Sequence, residues 1–183
     1  LTTNSPQSIT EPSRQLSVYG EFDVVVVGGW LSGLAASVSA AKHGAKVLLV
    51  ERYGFLGGMG TAGGVTNFAG LYGRKNGEMQ QVVHGVVDDL LARMEALGGV
   101  NAPQDGMQGR IRVRSYDVSA LKCAADQLLL AAGVEILFHA LAASVIMQGQ
   151  RIEALVIETK SGRQAIRARS FIDCSGDADI AAF

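Results

Sequence analysis

The chain has 183 residues, 48% of them apolar, 18% charged and with a net charge of −1. That is one cored domain or one and a half, with no electrostatic case for binding nucleic acid or an anionic membrane surface. No apolar run reaches the about 20 residues of a membrane span, and Cys123 and Cys174 show no CxxC or metal spacing, as expected of reduced thiols in a cytoplasmic protein.

Residues 1–20 open with LTTNSPQSITEPSRQ, a polar stretch without the charged start and apolar centre of a signal peptide, and are expected to be a disordered leader. Leu1 in place of Met points to an alternative start codon or a processed end. The informative stretch is Asp23 to Thr61, DVVVVGGWLSGLAASVSAAKHGAKVLLVERYGFLGGMGT. Val24–Val27 reads as a parallel strand buried on both faces. Gly28-Gly29 ends it, Gly33 falls in the first turn of a helix from Leu31 to His43, and Gly44 stops that helix. Lys46–Val50 is a second buried strand and Glu51 closes it.

Strand, glycine turn, helix, strand and acidic residue together predict a dinucleotide-binding unit. The first glycine makes the tight turn and the last lets helix and strand pack closely, while the helix N-terminus stabilises a pyrophosphate. A carboxylate at the end of the second strand accepts hydrogen bonds from ribose hydroxyls and disfavours a 2′-phosphate, so Glu51 argues for FAD or NAD(H) over NADP(H). One position breaks the fingerprint: Trp30 stands where the second glycine belongs, and a side chain there is expected to point at the phosphates.

Residues 52–77 are glycine-rich but carry Leu56, Met59, Val65, Phe68 and Leu71, too apolar for a free loop, and are expected to lie against a cofactor. Apolar residues at three- and four-residue steps predict a helix over Glu78–Leu97, the main part of a helical insertion at about 74–112. Asn101–Gly109 reads as a loop. Ser115 is the expected cap of a helix over Tyr116–Ala132, followed by a third parallel strand at Val134–Phe138. Ala143–Met147, Ile152–Thr159 and Gln164–Ala168 then form an antiparallel meander, leading into a separate buried strand, Ser170–Cys174. His84 and His139 read as structural or loop histidines. Ala178 to Phe183 is a helix just starting, which predicts that the chain is the N-terminal part of a longer protein, a frameshifted product or one piece of a split enzyme.

With these motifs in order, the sequence resembles the FAD-dependent oxidoreductase family of the glutathione-reductase-like two-dinucleotide-fold flavoproteins. The family's GGGPAG reads GGWLSG at 28–33, and its ER-x-G-F-LGGM-x-T-A-G reads ERYGFLGGMGTAG at 51–63. Its D-x-x-x-L-K element is present at Asp117–Lys122, A-G-V-E at 132–135, and I-D-A-T-G-D-G-D as IDCSGDAD at 172–179. The match spans residues 22–183. It implies a Rossmann-like FAD/NAD(P)-binding α/β fold, a parallel sheet with helices and a three-stranded antiparallel β-meander, cut short at its C-terminus and filling residues 21–183.

The resemblance also implies FAD in an extended pose. Gly28, Gly29, Ser32 and Gly33 would hold the pyrophosphate at position 30's turn, now occupied by Trp30. Glu51 would meet the adenosine ribose and Arg52 the adenine. Gly57, Gly58 and Met59 would lie along the pyrophosphate and ribitol. The backbone near Ala142 would meet the adenine, and Gly176 and Asp177 would close over the dinucleotide. No catalytic residue and no metal site is implied within this chain.

The leading expectation is the FAD-binding portion of a flavin-dependent oxidoreductase acting on a small organic substrate. The alternative is a degenerate or split-subunit homologue that keeps the fold without binding FAD because of Trp30 and the missing C-terminal half; a plain NAD-binding dehydrogenase domain ranks third, since such a domain would continue with strand–helix repeats rather than a meander. A sheet cut short exposes apolar surface, so a partner chain or poor solubility is also expected.

Overall fold

The apolar run at the end of β1 (Ser17–Val27) is buried because it sits between two cores. This computed structural model describes residues 8–183. After β1 come α1 (Leu31–Lys42) and β2 (Val47–Val50), which returns parallel to β1 with Val24 opposite Val47 and Val27 opposite Val50. Val26, Val47 and Leu49 face the helices, where Leu34 and Val38 of α1 meet Leu121, Leu128 and Leu129. Val25, Val27, Leu48 and Val50 face the other way, onto Leu155, Ile157 and Ile166. A strand packed on both faces has no polar side to alternate with, so it reads as a continuous apolar run.

The chain then forms β3 (Asn67–Phe68), a hairpin of β4 (Tyr72–Lys75) and β5 (Glu78–Gln81), α2 (Val86–Ala96), β6 (Gln104–Gly106) and β7 (Ile111–Ser115). The expected helix over Glu78–Leu97 is therefore half its predicted length, and the insertion at 74–112 is mixed rather than helical. Asn76 and Gly77 both hold positive φ, 54° and 85°, the turn that matches the twist of two paired strands. Gly85, at φ 94°, then separates the hairpin from α2, and its N–H donates to the Asp88 carboxylate at 2.8 Å. Val82 and Val83 fit a helical period but lie exposed ahead of α2. The segment read as a loop, Asn101–Gly109, contributes β6, which pairs with β7.

α3 (Val118–Ala131) leads to β8 (Glu135–Leu137), parallel to β2. The cap of α3 is Asp117, whose carboxylate accepts the Ala120 N–H at 2.8 Å, and not Ser115, which belongs to β7. The meander is β9 (Leu141–Gln148), β10 (Arg151–Thr159) and β11 (Gly162–Asp173), ahead of a single turn, α4 (Asp179–Ala182). The two strands expected at Gln164–Ala168 and Ser170–Cys174 are one, because β1 pairs with β11 from Ser17–Gln164 to Val27–Asp173. The same pairing corrects the leader: Ser17–Gly20 is strand, residues 8–16 carry no helix or strand, and residues 1–7 lie outside the described residues. The six-stranded sheet runs β8-β2-β1-β11-β10-β9. Among the described residues no helix is long and apolar enough to cross a membrane.

Candidate functional site

The carboxyl ends of β1, β2 and β11 meet the N-terminus of α1, and main-chain bonds tie their turns together. Gly28 N–H donates to Val50 O at 2.8 Å, Cys174 N–H to Val27 O at 2.8 Å, and Gly57 N–H to Gly29 O at 2.8 Å. Gly28 has φ 100°, and a Cβ there would fall 2.2 Å from Cys174 O. A Cβ at Gly33 would fall 1.9 Å from Gly28 O, so α1 reaches its depth against β1 only with glycine. The first intrahelical bond runs from Leu34 N–H to Trp30 O at 2.9 Å. The N–H groups of Leu31, Ser32 and Gly33 precede it and are the free donors of a helix start, suited to an anion.

Glu51 is 3% exposed, a carboxylate held at the end of β2. Its Oε2 accepts the Gly29 N–H at 2.7 Å and its Oε1 the Tyr53 N–H at 2.8 Å. Each oxygen keeps a further lone pair for a hydroxyl donor. The carboxylate lines a cleft with Gly28, Trp30, Arg52, Ala142 and Asp179. This donor and acceptor set suits an adenosine ribose, and Ala142, on β9, brings the start of the meander to the same cleft. Arg52 is exposed, its guanidinium 5.1 Å from the Tyr53 ring.

The other expected residues are arranged around this cleft. Gly29 and Gly33 are buried behind it; Ser32 is exposed, with its hydroxyl in reach of the Cys174 thiol. That thiol is pushed up by burial, with the Ser32 hydrogen bond pulling the other way. Gly57 and Gly58 are buried at the start of a 3₁₀ turn, Gly58–Gly60, and Met59 is half exposed. Gly176 and Asp177 form an exposed turn; Ser175 and Asp179 line the cleft and Asp177 does not.

Sequence reasoning missed Asp173, which organises that last turn. Its carboxylate accepts the Ser175 hydroxyl at 2.7 Å and N–H at 3.0 Å, and the N–H groups of Ile180 at 2.9 Å and Ala181 at 3.3 Å. The signals are the aspartate of the IDCSGDAD element at 172–179 and the serine two positions after it at a strand end. Burial works to raise its pKa, but these hydrogen bonds outweigh it and hold the carboxyl below its ordinary range. A carboxyl lowered in the fold stabilises it fully above the unfolded value of about 3.9 and loses that contribution as pH falls through the folded value. Asp173→Asn is accordingly expected to flatten the decline of stability below about pH 4, measured by urea denaturation across acid pH. A wild-type-to-variant difference that stays constant through that range would count against it.

Trp30 fills the space between the glycine turns. A Cβ on Gly58 would fall 2.4 Å from the indole, and one on Gly176 3.1 Å from it, so the ring is packed against both backbones. The residues around Glu51 thus suit the adenosine end of a dinucleotide, while the indole stands between the Gly58 and Gly176 turns.

Comparison with known proteins finds relatives in sequence and in fold. Glutathione reductase of Schizosaccharomyces pombe is 60% identical over 37 residues, 20% of this chain and 8% of that protein. Thiamine thiazole synthase of Methanococcus vannielii is 31% identical over 169 residues, 87% of this chain and 58% of that one. Among solved structures, THI4 of Thermovibrio ammonificans superimposes with a TM-score of 0.58 at 20% identity, covering 88% of this chain and 60% of its own. The chain thus spans less than two thirds of the length of each of these relatives. The model of a family described as FAD dependent oxidoreductase matches residues 23–183, from the strand before the first glycine turn to the turn held by Asp173. With FAD as that family's cofactor and nearly all the described chain inside the match, the chain belongs to the FAD-dependent oxidoreductases.

Proposed function

We propose that this chain is the FAD-binding portion of a flavin-dependent oxidoreductase acting on a small organic substrate in the cytoplasm. The observation that carries the reading is Glu51: a buried carboxylate, oriented by two backbone N–H groups, lining the same cleft as the first glycine turn. Flavin, when bound, supplies the redox chemistry. The chain's own part is to accept the ribose hydroxyls at Glu51, to offer the α1 N-terminus to the diphosphate and to flank the adenine with Arg52 and Ala142. Gly57, Gly58, Met59, Gly176 and Asp177 belong to the turns beyond it. The substrate-binding region and the rest of the flavin site would come from further sequence or from a partner chain. The thiamine thiazole synthase relative and the THI4 structure support the fold and name no substrate for this chain.

A second reading, a degenerate or split-subunit homologue without flavin, is favoured by the Trp30 indole between Gly58 and Gly176. The test is competitive titration with FAD, NAD⁺, NADP⁺ and adenosine, followed by calorimetry. Expected are saturable FAD binding that adenosine displaces, and NADP⁺ excluded by the Glu51 carboxylate beside its 2′-phosphate. NAD⁺ binding more tightly than FAD would favour a nicotinamide domain, and no FAD binding even at high concentration would favour the flavin-free reading.

A further inference from the structure

We infer that Trp30 is a plug in the diphosphate seam: its indole separates the adenosine cleft from the α1 N-terminus and must swing out before an extended dinucleotide can bind. The inference rests on the FAD-binding reading and adds to it a residue that sets which nucleotides enter.

Trp30 is the N-cap of α1, with extended backbone at φ −75° and ψ 175° and no cap bond from its side chain. Its side chain therefore leaves the chain at the mouth of the helix, where the free N–H donors stand. The ring is wedged between the Gly58 and Gly176 backbones, and the same residue forms one wall of the cleft holding Glu51. On this inference, an anion drawn to the α1 donors competes with the ring for the space between the two glycine turns. It also meets the indole's electron-rich face, which repels negative charge. The two glycines make the slot: a methyl group at Gly58 would overlap the ring, whereas the ring itself fits. Adenosine, which carries no phosphate, needs only the Glu51 end.

A ligand that binds only the state with the plug withdrawn has its affinity reduced by the fraction of molecules in that state. Adenosine escapes this reduction, whereas ADP and FAD bear it. Because Trp30 is the single tryptophan of the chain, its emission reports its own position.

The experiment titrates the wild type and Trp30→Gly with adenosine, ADP and FAD. The variant is expected to bind ADP and FAD at least about tenfold more tightly and adenosine with less than about a threefold change. In the wild type, ADP is expected to shift the tryptophan emission to the red as the indole enters water, and adenosine to leave it in place. Glycine is well tolerated at an N-cap; should Trp30→Gly fail to fold by circular dichroism, Trp30→Ser, a better cap, is read instead. Equal or weaker FAD binding by the variant overturns the plug and leaves the FAD reading standing. An adenosine gain as large as the FAD gain also overturns it, because the indole would then close the whole cleft. FAD binding by neither protein overturns the reading on which the inference rests.

Discussion

Replacing Glu51 with alanine is expected to cost about 2–4 kcal/mol of stability and to remove measurable adenosine binding. The carboxylate is 3% exposed and accepts two backbone N–H groups, from Gly29 at 2.7 Å and Tyr53 at 2.8 Å. Alanine leaves both donors without their acceptor, the Gly29 N–H in a buried turn and the Tyr53 N–H partly buried, and an unsatisfied buried donor costs more than a made bond contributes. Gly29 lies in the first glycine turn and Tyr53 at the start of the loop leading to Gly57, so losing the carboxylate loosens two walls of the site together. Glu51→Gln separates charge from shape. The amide keeps one oxygen for one N–H but turns its NH₂ toward the other, so it is expected to lose roughly half as much stability. Urea denaturation measures the first effect and calorimetric titration with adenosine the second. An alanine variant within about 1 kcal/mol of wild type would mean that the two backbone bonds contribute little net stability in solution.

That residue was legible in the sequence, and the reason separates what could be read from what could not. A strand buried on both faces has to be apolar throughout, a turn beneath a helix start has to be glycine, and a carboxylate at the next strand end completes the unit; each constraint acts on neighbouring residues. The helix over Tyr116–Ala132 was readable for the same reason, since Leu121, Leu128 and Leu129 fall on one face. Where partners are distant, local pattern misleads. Ser17–Gly20 is strand because β11 runs long enough to pair with it, which no property of Ser-Val-Tyr-Gly announces. Met79, Val82 and Val83 match a helical period by coincidence, and the Asn76-Gly77 turn was the stronger signal. At the site, the role of Asp173 depends on four donors from three residues that converge only after β11 and α4 are in place. The resting place of the Trp30 indole is likewise set by two turns far along the chain.

Gly33→Ala is expected to be severely damaging for a single methyl group, at about 3 kcal/mol or more. Two effects oppose each other there. Gly33 sits inside α1, where alanine is the better helix former by about 1 kcal/mol. Against this, the new Cβ would lie 1.9 Å from Gly28 O. That carbonyl has no room to retreat: Gly28 N–H is bonded to Val50 O at 2.8 Å, and the Gly28 Cα already faces Cys174 O so closely that a Cβ would come within 2.2 Å. Relief requires the first turn of α1 to lift away from β1, which opens the packing of Leu34 and Val38 on Val26. Because the clash is with backbone and not with a flexible side chain, the steric effect wins. For a chain of this size each kcal/mol shifts the melting temperature by roughly 2–4 °C, so a drop of about 6 °C or more is expected. Gly44→Ala is the matched control. Gly44 has φ 84° and open space around a would-be Cβ, so alanine there pays only left-handed backbone strain, about 1–2 kcal/mol. A larger loss at Gly33 than at Gly44 would show that close approach of α1 to the strand is what the glycine secures. Equal losses, or a stabilised Gly33→Ala, would place the helix start farther from β1 and take its N–H donors out of reach of the cleft.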